Sequence, residues 1–575
     1  MKNLKYIKTI VGIAFLVVVV FSCQDKFLEF TPTGVISSEE LNTPEQVEKL
    51  VISAYASLGN DHVWQPYEYP WPYGSVRADD SYKGGGDIGD QFDYALLETF
   101  QGITPNPGYY NAIWVKIYSG ISRANDALFR LANLTDEELP KKSERIAEMR
   151  FIRGHYEFIL KILFKHIPYI DEFVSVGDIP TLSNRILTDQ EGWEYIANEF
   201  RAALAVLPET QAEGGRPTKN AARAYLAKTL LYKAYVQDDK HQVVSITQSE
   251  LEDVISLVND IEATGAHDLS TDIAENFLAE YEKRSEVVWA IMRSIRDGSN
   301  DGRLNFSSAL NSPMGPGYGC CWFNIPSKTL INAFKTDANG LPLFETYNED
   351  PTIDDGQDVL ANNMDPRMGH TAVVPGMPWK YDPNRIFDDT YLRASAVYGN
   401  TGALKDQEHP DSPDFRAFGA FFGTAKNTDI IRYADVLLFK AEALIELGRM
   451  NEALPIINRI RSRAATSTAR LVYADGSPSG NWNVGQYTTL GSQDNARKIL
   501  QWERRLEFAM EAVRFFDLVR WGIAGPTMSE YFEVEKGRRD YLKEGKFTVG
   551  KHEYLPIPQA QIIISKGVYE QNPDY

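Results

Sequence analysis

Apolar positions recur at helical spacing along most of the chain. The first set is Val47, Leu50, Val51, Ala54, Tyr55 and Leu58, opened by the capping box Thr43-Pro44-Glu45-Gln46 and closed by Gly59. The same period predicts helices over 109–131 and 143–165, the second halted by Pro168. Thr188 with Glu191, then Thr218, then Thr247 with Glu250 mark three further helix starts. An extended segment is expected over 286–295, and from 299 to 412 the period lapses into Gly, Pro, Asn and Asp. It returns at 429–464, where Leu447-Gly448 followed by Asn451-Glu452-Ala453-Leu454 has the helix-turn-helix pattern of a tetratricopeptide-like unit. The strongest pattern runs from 494 to 522. Asp494 is the expected N-cap, Ile499, Leu500, Trp502, Leu506, Phe508 and Ala509 make one apolar face, and a shorter helix stops at Gly522. Glu503, Arg504, Arg505, Glu507, Glu511, Arg514, Asp517 and Arg520 lie among these aromatics, so the reading is a buried helix pair with its ions paired locally.

Aromatic residues fall into two classes. Trp114, Trp193, Trp289, Trp502 and Trp521 sit in periodic segments and read as core, and His155 reads as a satisfied core histidine. The stretch 64–87 is different: Trp64, Tyr67, Tyr69, Trp71 and Tyr73 alternate with prolines and end on Gly84 to Gly86. Proline blocks both helix and ladder, so a loop is expected, whose rings either plaster onto the helices or present platforms to a flat-faced ligand. In the second irregular region, Cys320-Cys321 precedes Trp322. The adjacent cysteines either close a vicinal disulfide that stiffens the turn or remain two thiols.

The N-terminus carries Lys2, Lys5 and Lys8, then an apolar run over 10–21 that is too short to span a bilayer and right for a signal-peptide core. Val20-Phe21-Ser22-Cys23 resembles a lipobox, with Phe21 in place of the usual small residue; residues 1–22 are expected to be cleaved and Cys23 to receive lipid. The chain of 575 residues is 43% apolar and 12% aromatic, so a large core is assured. A net charge of −20 with no basic run argues against nucleic acid. With 3 cysteines there is no disulfide framework.

Ordered motifs then carry a resemblance: the lipobox, MRFIRGHYEFILKILFKHIPYI at 149–170, RPTKNAARAYLAKTLLYKA at 216–234, Met364-Asp365-Pro366-Arg367-Met368, RYADVLLFKAEALIELG at 432–448, WERRLEFAMEAVRFFDLVRWG at 502–522, and the Leu555-Pro556-Ile557-Pro558 and Asn572-Pro573-Asp574-Tyr575 tail. In this order they resemble the SusD/RagB family of surface glycan-binding lipoproteins, over essentially the whole mature chain. The resemblance implies a mainly all-α scaffold of tetratricopeptide-like helix pairs with a long irregular ligand-binding region. It implies one SusD-like domain over 23–575, with an N-terminal helical part (23–283), a loop-rich part (284–428) and a C-terminal helical part (429–575). It also implies a lipid-anchored, surface-exposed place on the outer membrane and docking on a SusC-like TonB-dependent transporter.

Carried over by position, the family's ligand face selects Trp71, Tyr73, Arg77, Asp80 and Tyr82 from the early loop, and Tyr318, Trp322 and Trp379 from the later one. Sugar rings have an apolar C–H face, so aromatic platforms with Arg and Asp fixing hydroxyls suit a glycan. Burying ~60 Å² per sugar gives roughly 1.5 kcal/mol per platform, and a few platforms give micromolar to millimolar affinity. On this reading Trp71→Ala and Trp322→Ala weaken binding without moving the melting temperature. No HExxH, G-x-S-x-G or P-loop occurs, so no catalysis, cofactor or metal is expected. The alternatives are a peptide or glycoprotein-derived ligand under the same lid, a helical glycoside hydrolase using Asp79, Asp80 or Asp87, and a helical-repeat scaffold for peptides.

Overall fold

The structure is a computed structural model and describes residues 42–59, 70–282, 284–298 and 302–575. The expected signal peptide, the lipobox with Cys23, and Trp64, Tyr67 and Tyr69 lie outside the described residues. The chain divides into two units, Met1–Lys49 and Leu50–Tyr575, and the boundary falls inside helix α1 (Pro44–Ala56). In the first unit Thr43 Oγ1 accepts from the Gln46 N–H at 3.4 Å, and proline stands at the first helical position.

The second unit is mainly helical, with strands of two to five residues joined only in pairs among the described residues. Its long helices are α2 (Gly108–Leu131), α3 (Lys142–Phe164), α4 (Asp189–Val206), α5 (Lys219–Ala234) and α6 (Gln248–Thr264). After the irregular region come α7 (Tyr433–Glu446), α8 (Met450–Thr466), α9 (Gln493–Phe508) and α10 (Arg514–Arg520). Each amphipathic face needs a partner, and each helix from α2 to α8 packs on the next in sequence. This includes α6 on α7, although residues 265–432 lie between them. The irregular region is therefore an insertion between two neighbours of one helical stack.

Local chemistry follows the sequence closely at some helix starts. Thr188 and Glu191 form the reciprocal capping box of α4, and Thr218 Oγ1 accepts from the Ala221 N–H at the start of α5. At α9 the cap is Ser492, not Asp494: the serine side chain accepts from the Asn495 N–H, and Asp494 instead pairs with Arg497. Ser492→Ala is expected to lower stability by about 1 kcal/mol, and Asp494→Ala by less, in urea denaturation of the two variants.

From Glu503 to Arg520 the charges of α9 and α10 are mostly buried and paired, across elements more than along the helix. Arg367, from the Asp365-Pro366-Arg367 turn, meets Asp365 at 2.7 Å and also Glu503, which Arg461 of α8 contacts at 3.0 Å. Arg504 reaches Asp435 and Asp517, each at 2.8 Å, and Arg520 reaches Glu442 and Asp517. Trp114, Trp193, Trp289 and Trp521 are core as expected, whereas Trp502 is only half-buried, edge-on to Phe344 and Tyr347.

The strands that matter for the site are β1 (Ser81–Gly84), β2 (Val287–Ile291), β3 (Phe323–Pro326), β4 (Phe415–Phe418), β5 (Phe421–Thr424) and β6 (Thr428–Arg432). β1 and β3 pair antiparallel with Tyr82 opposite Ile325, which ties the early loop to the inserted region. β6 pairs with β2, and β4 with β5 forms a hairpin.

Candidate ligand-binding face

From Trp71 onward the early aromatic loop is inside the protein. Trp71–Gly74 forms one helical turn with Pro72 in it, packed on α10 so closely that a Cβ on Gly74 would lie 1.8 Å from the Ala512 carbonyl oxygen. Trp71 is 3% exposed and edge-on to Tyr94; Tyr73 is 1% exposed. Both border a cavity of about 410 Å³, whose lining also includes His155, Tyr225, Lys228 and Phe508. His155 Nδ1 lies 2.6 Å from the Tyr225 hydroxyl, and burial lowers the imidazole pKa to about 3, so this histidine is neutral.

The polar residues expected beside these rings are also spoken for. Arg77 is fully buried, its guanidinium 4.1 Å above the Phe515 ring, with Nη2 donating to the His552 carbonyl at 2.6 Å. Burial lowers its pKa to about 10. Asp80 accepts from Arg505 Nε at 2.9 Å; burial raises its pKa against the pull of Arg505. Asp79 lies between Arg505 and Arg514, both at 2.9 Å, and these two outweigh burial to leave its pKa at about 2. Tyr82 donates its hydroxyl proton to Glu535 at 2.6 Å and accepts from the Lys328 N–H. The expected water-facing placement of Trp71, Tyr73, Arg77, Asp80 and Tyr82 is therefore corrected: helix packing and buried ion pairs hold them as core. Asp79 and Asp80, as buried arginine partners, form no open carboxylate pair.

The later rings are likewise turned inward. Trp322 (2% exposed), Phe387 and Trp379 (0% exposed) stack in succession at 5.8 and 5.7 Å, with interplanar angles of 18° and 17°. Trp379 Nε1 donates to the Tyr318 hydroxyl at 3.0 Å, which in turn donates to the Glu408 carbonyl at 2.6 Å. So Trp322 and Trp379 are corrected to supports, and Tyr318 alone of the expected set is half exposed.

What these supports hold up is an exposed face. The loop 313–321 closes on itself where the Trp322 N–H donates to the Ser312 carbonyl at 2.9 Å. Met314, Pro316, Gly317 and Gly319 are exposed along it, and Cys320 and Cys321 are joined by a disulfide. On one side the β4–β5 hairpin meets the loop: Phe415 and Phe422 are edge-on to Tyr318, and a Cβ on Gly319 would lie 2.6 Å from the Ala420 carbonyl oxygen, while the half-exposed Phe418 and Phe421 pack on Leu304, Phe306 and Ala309. Arg385 ties the loop to the segment before the hairpin, donating to the Pro316 carbonyl at 2.7 Å and standing 3.5 Å from Asp411, while His409 faces Asp382 at 3.4 Å. On the other side Arg393 donates to the Cys321 carbonyl at 3.3 Å and pairs with Asp90 at 3.2 Å, next to the exposed Ile88 and Phe92. Lys83 orders that corner by donating to the carbonyls of Asp87 at 2.9 Å and Asp90.

Apolar edges next to guanidinium and carboxylate groups, on a surface loop, suit a ligand with both C–H faces and hydroxyls. None of Phe418, Phe421, Arg385 or Arg393 was singled out from sequence. The available signal was Phe418-Gly419-Ala420-Phe421, a two-residue turn between aromatic strands. Among the described residues no group of three His, Cys, Asp or Glu side chains is placed to hold a metal, and no helix is long and apolar enough to cross a membrane.

Comparison with known proteins agrees with this architecture. The model of the SusD family matches residues 285–575, and a second, described as starch-binding and associating with the outer membrane, matches residues 26–231. SusD-like protein P2 of Formosa agariphila is 24% identical over 572 residues, covering 97% of this chain and 98% of its own. A SusD homolog from Bacteroides thetaiotaomicron superposes with a TM-score of 0.70 at 19% identity, over 94% of this chain and 99% of its own. A laminarin-binding SusD-like protein superposes with a TM-score of 0.62 at 20% identity, over 93% and 100%. At these identities the superpositions show a shared fold.

Proposed function

The chain belongs to the SusD family, and from that premise we propose that it captures a saccharide on the loop 313–321 face and passes it to a SusC-like TonB-dependent transporter, without catalysis. The observation that carries this is the exposed join of that loop with the β4–β5 tip. There the hairpin tip, with the half-exposed Phe418 and Phe421 on either side of it, abuts Gly319, and Arg385 holds the same loop at Pro316. The laminarin-binding relative supports a glucan-like or other neutral polysaccharide as the ligand class. Lipid on Cys23 would tether the chain to the outer membrane, with which the family model is associated. Asp79 and Asp80, two of the three carboxylates a hydrolase would draw on, are held in buried arginine pairs.

Calorimetry against a panel of soluble glycans tests this. The purified protein is expected to bind at least one with micromolar to millimolar affinity and to release no reducing ends. Arg385→Ala and Phe421→Ala together are expected to weaken that binding about tenfold, the loss of one charge-assisted contact and one apolar edge. Binding to none of the panel, or release of reducing ends, would overturn the proposal; unchanged affinity in the double variant would move the site elsewhere.

A further inference from the structure

The loop face contains one group that capture of a sugar has not yet used. Cys320 and Cys321 are neighbours in sequence, and their sulfurs are bonded to each other. The loop that carries them has two hydrogen bonds at its neck, from the Trp322 N–H to the Ser312 carbonyl at 2.9 Å and from the Phe323 N–H to the Leu310 carbonyl at 3.0 Å. Under the neck lie Trp322, Phe387 and Trp379, so the loop cannot sink into the protein. Along its crest the backbone has glycine at 315, 317 and 319, joints that would otherwise leave the crest free to move.

A disulfide between adjacent residues closes an eight-membered ring and changes the crest in two ways. It replaces two weak S–H donors by an apolar, polarisable sulfur pair. It also fixes two residues next to the glycine joints, which lowers the ordering entropy lost when a ligand docks. The ring has a half-exposed side, at Cys320, and a buried side, at Cys321, whose carbonyl accepts from Arg393. It lies between the Arg393–Asp90 pair and the hairpin tip that abuts Gly319.

We propose that the Cys320–Cys321 disulfide is itself part of the saccharide contact, its sulfur face at Cys320 packing on the C–H face of a sugar ring while Arg393, Asp90 and Arg385 fix hydroxyls around it. This rests on the saccharide reading above. The bond is therefore a determinant of affinity rather than a staple of the fold.

The test uses the full chain with Cys23→Ser, which leaves the pair as its remaining cysteines. Iodoacetamide is expected to add no label before phosphine reduction and two after it, by intact mass. Affinity for the tightest-binding glycan of the panel is expected to fall about three- to tenfold on reduction, with the melting temperature nearly unmoved. Cys320→Ser with Cys321→Ser is expected to match the reduced protein, and Cys320→Ala with Cys321→Ala to retain more of the affinity because it keeps the surface apolar. Two labels before reduction, or equal affinity in the oxidised and reduced proteins, would overturn the proposal. So would an affinity loss that appears only with a large fall in melting temperature, since the bond would then act on the fold. An oxidised protein that binds no glycan would instead remove the saccharide reading, and this proposal with it.

Discussion

Glu507→Ala is expected to destabilise the protein by about 3–5 kcal/mol, because it leaves buried arginines with too few anions. Glu507 Oε1 accepts from Arg463 at 2.5 Å and from Arg432 at 3.0 Å. The remaining acids near these two arginines are Glu286, shared at 2.6 and 3.0 Å, and Glu511, which also holds Lys405 at 2.7 Å. Arg463, Arg432 and Lys405 would then face two carboxylates, Glu286 fully buried and Glu511 partly exposed. Glu507→Gln keeps the shape but not the charge and is expected to recover only part of the loss. Urea denaturation of the three proteins measures it, and a loss under about 1 kcal/mol for the alanine variant would show that the arginines find other partners.

The same network sets the acid side of the stability profile. Burial would push the Glu507 and Glu286 carboxyls up, but Arg463 and Arg432 outweigh it and hold both below the ordinary range. Groups whose folded pKa is depressed supply stability that is complete above the unfolded pKa of about 4.5 and is lost as pH falls below it. Other buried acids act in the opposite direction, Glu98 and Glu553 among them. Burial raises Glu98 and Glu553 to about 7, so the folded protein prefers them protonated, and stability declines as pH rises from about 4.5 to 7. Buried histidines such as His155 and His552, whose pKa burial lowers to about 3, favour the neutral folded form and add to the loss as pH falls below about 6.5, so stability is expected to fall steeply on the acid side. Glu507→Ala should flatten the acid limb.

The elements that were legible in the sequence are those whose evidence is local. The apolar stripes of α2 to α8 and the caps at Thr188 and Thr218 lie within a few residues of what they explain. Partners far apart in sequence were not legible. Asp79 and Asp80 meet Arg505 and Arg514 across more than four hundred residues, and no spacing rule links them. The aromatic loop was misplaced for a related reason. Proline-rich backbone excludes long helices, but it does not say which side of the chain faces water. Trp71-Pro72-Tyr73-Gly74 took a single helical turn and used Gly74 to press against Ala512. Of the described rings of that loop, Trp71 and Tyr73 are buried, while Phe418 and Phe421 are half exposed on a short hairpin whose period of two spans only four residues per strand.

Trp322→Ala is expected to lower both stability and ligand affinity, a result opposite to the one an exposed platform would give. The Trp322 ring is 2% exposed and stacks on Phe387, which stacks on Trp379, so its removal opens a void at one end of a packed column. Aromatic-to-alanine changes at such sites cost about 3–5 kcal/mol, and the loss should be plain in the melting temperature. The column also carries the neck of loop 313–321 through the Trp322 N–H, so its collapse should blur the face that Cys320, Arg385 and Arg393 form together. Trp322 has φ +64°, a left-handed conformation that a bulky residue adopts only when its surroundings hold it there. The ring is the part that is held, so an alanine there would lose its anchor and keep an unfavourable backbone. Trp322→Phe, which retains a ring in the stack, is expected to restore most of both properties. An alanine variant that melts with the wild type but binds glycan weakly would mean that Trp322 reaches the ligand directly, and the support role argued from its burial would be wrong.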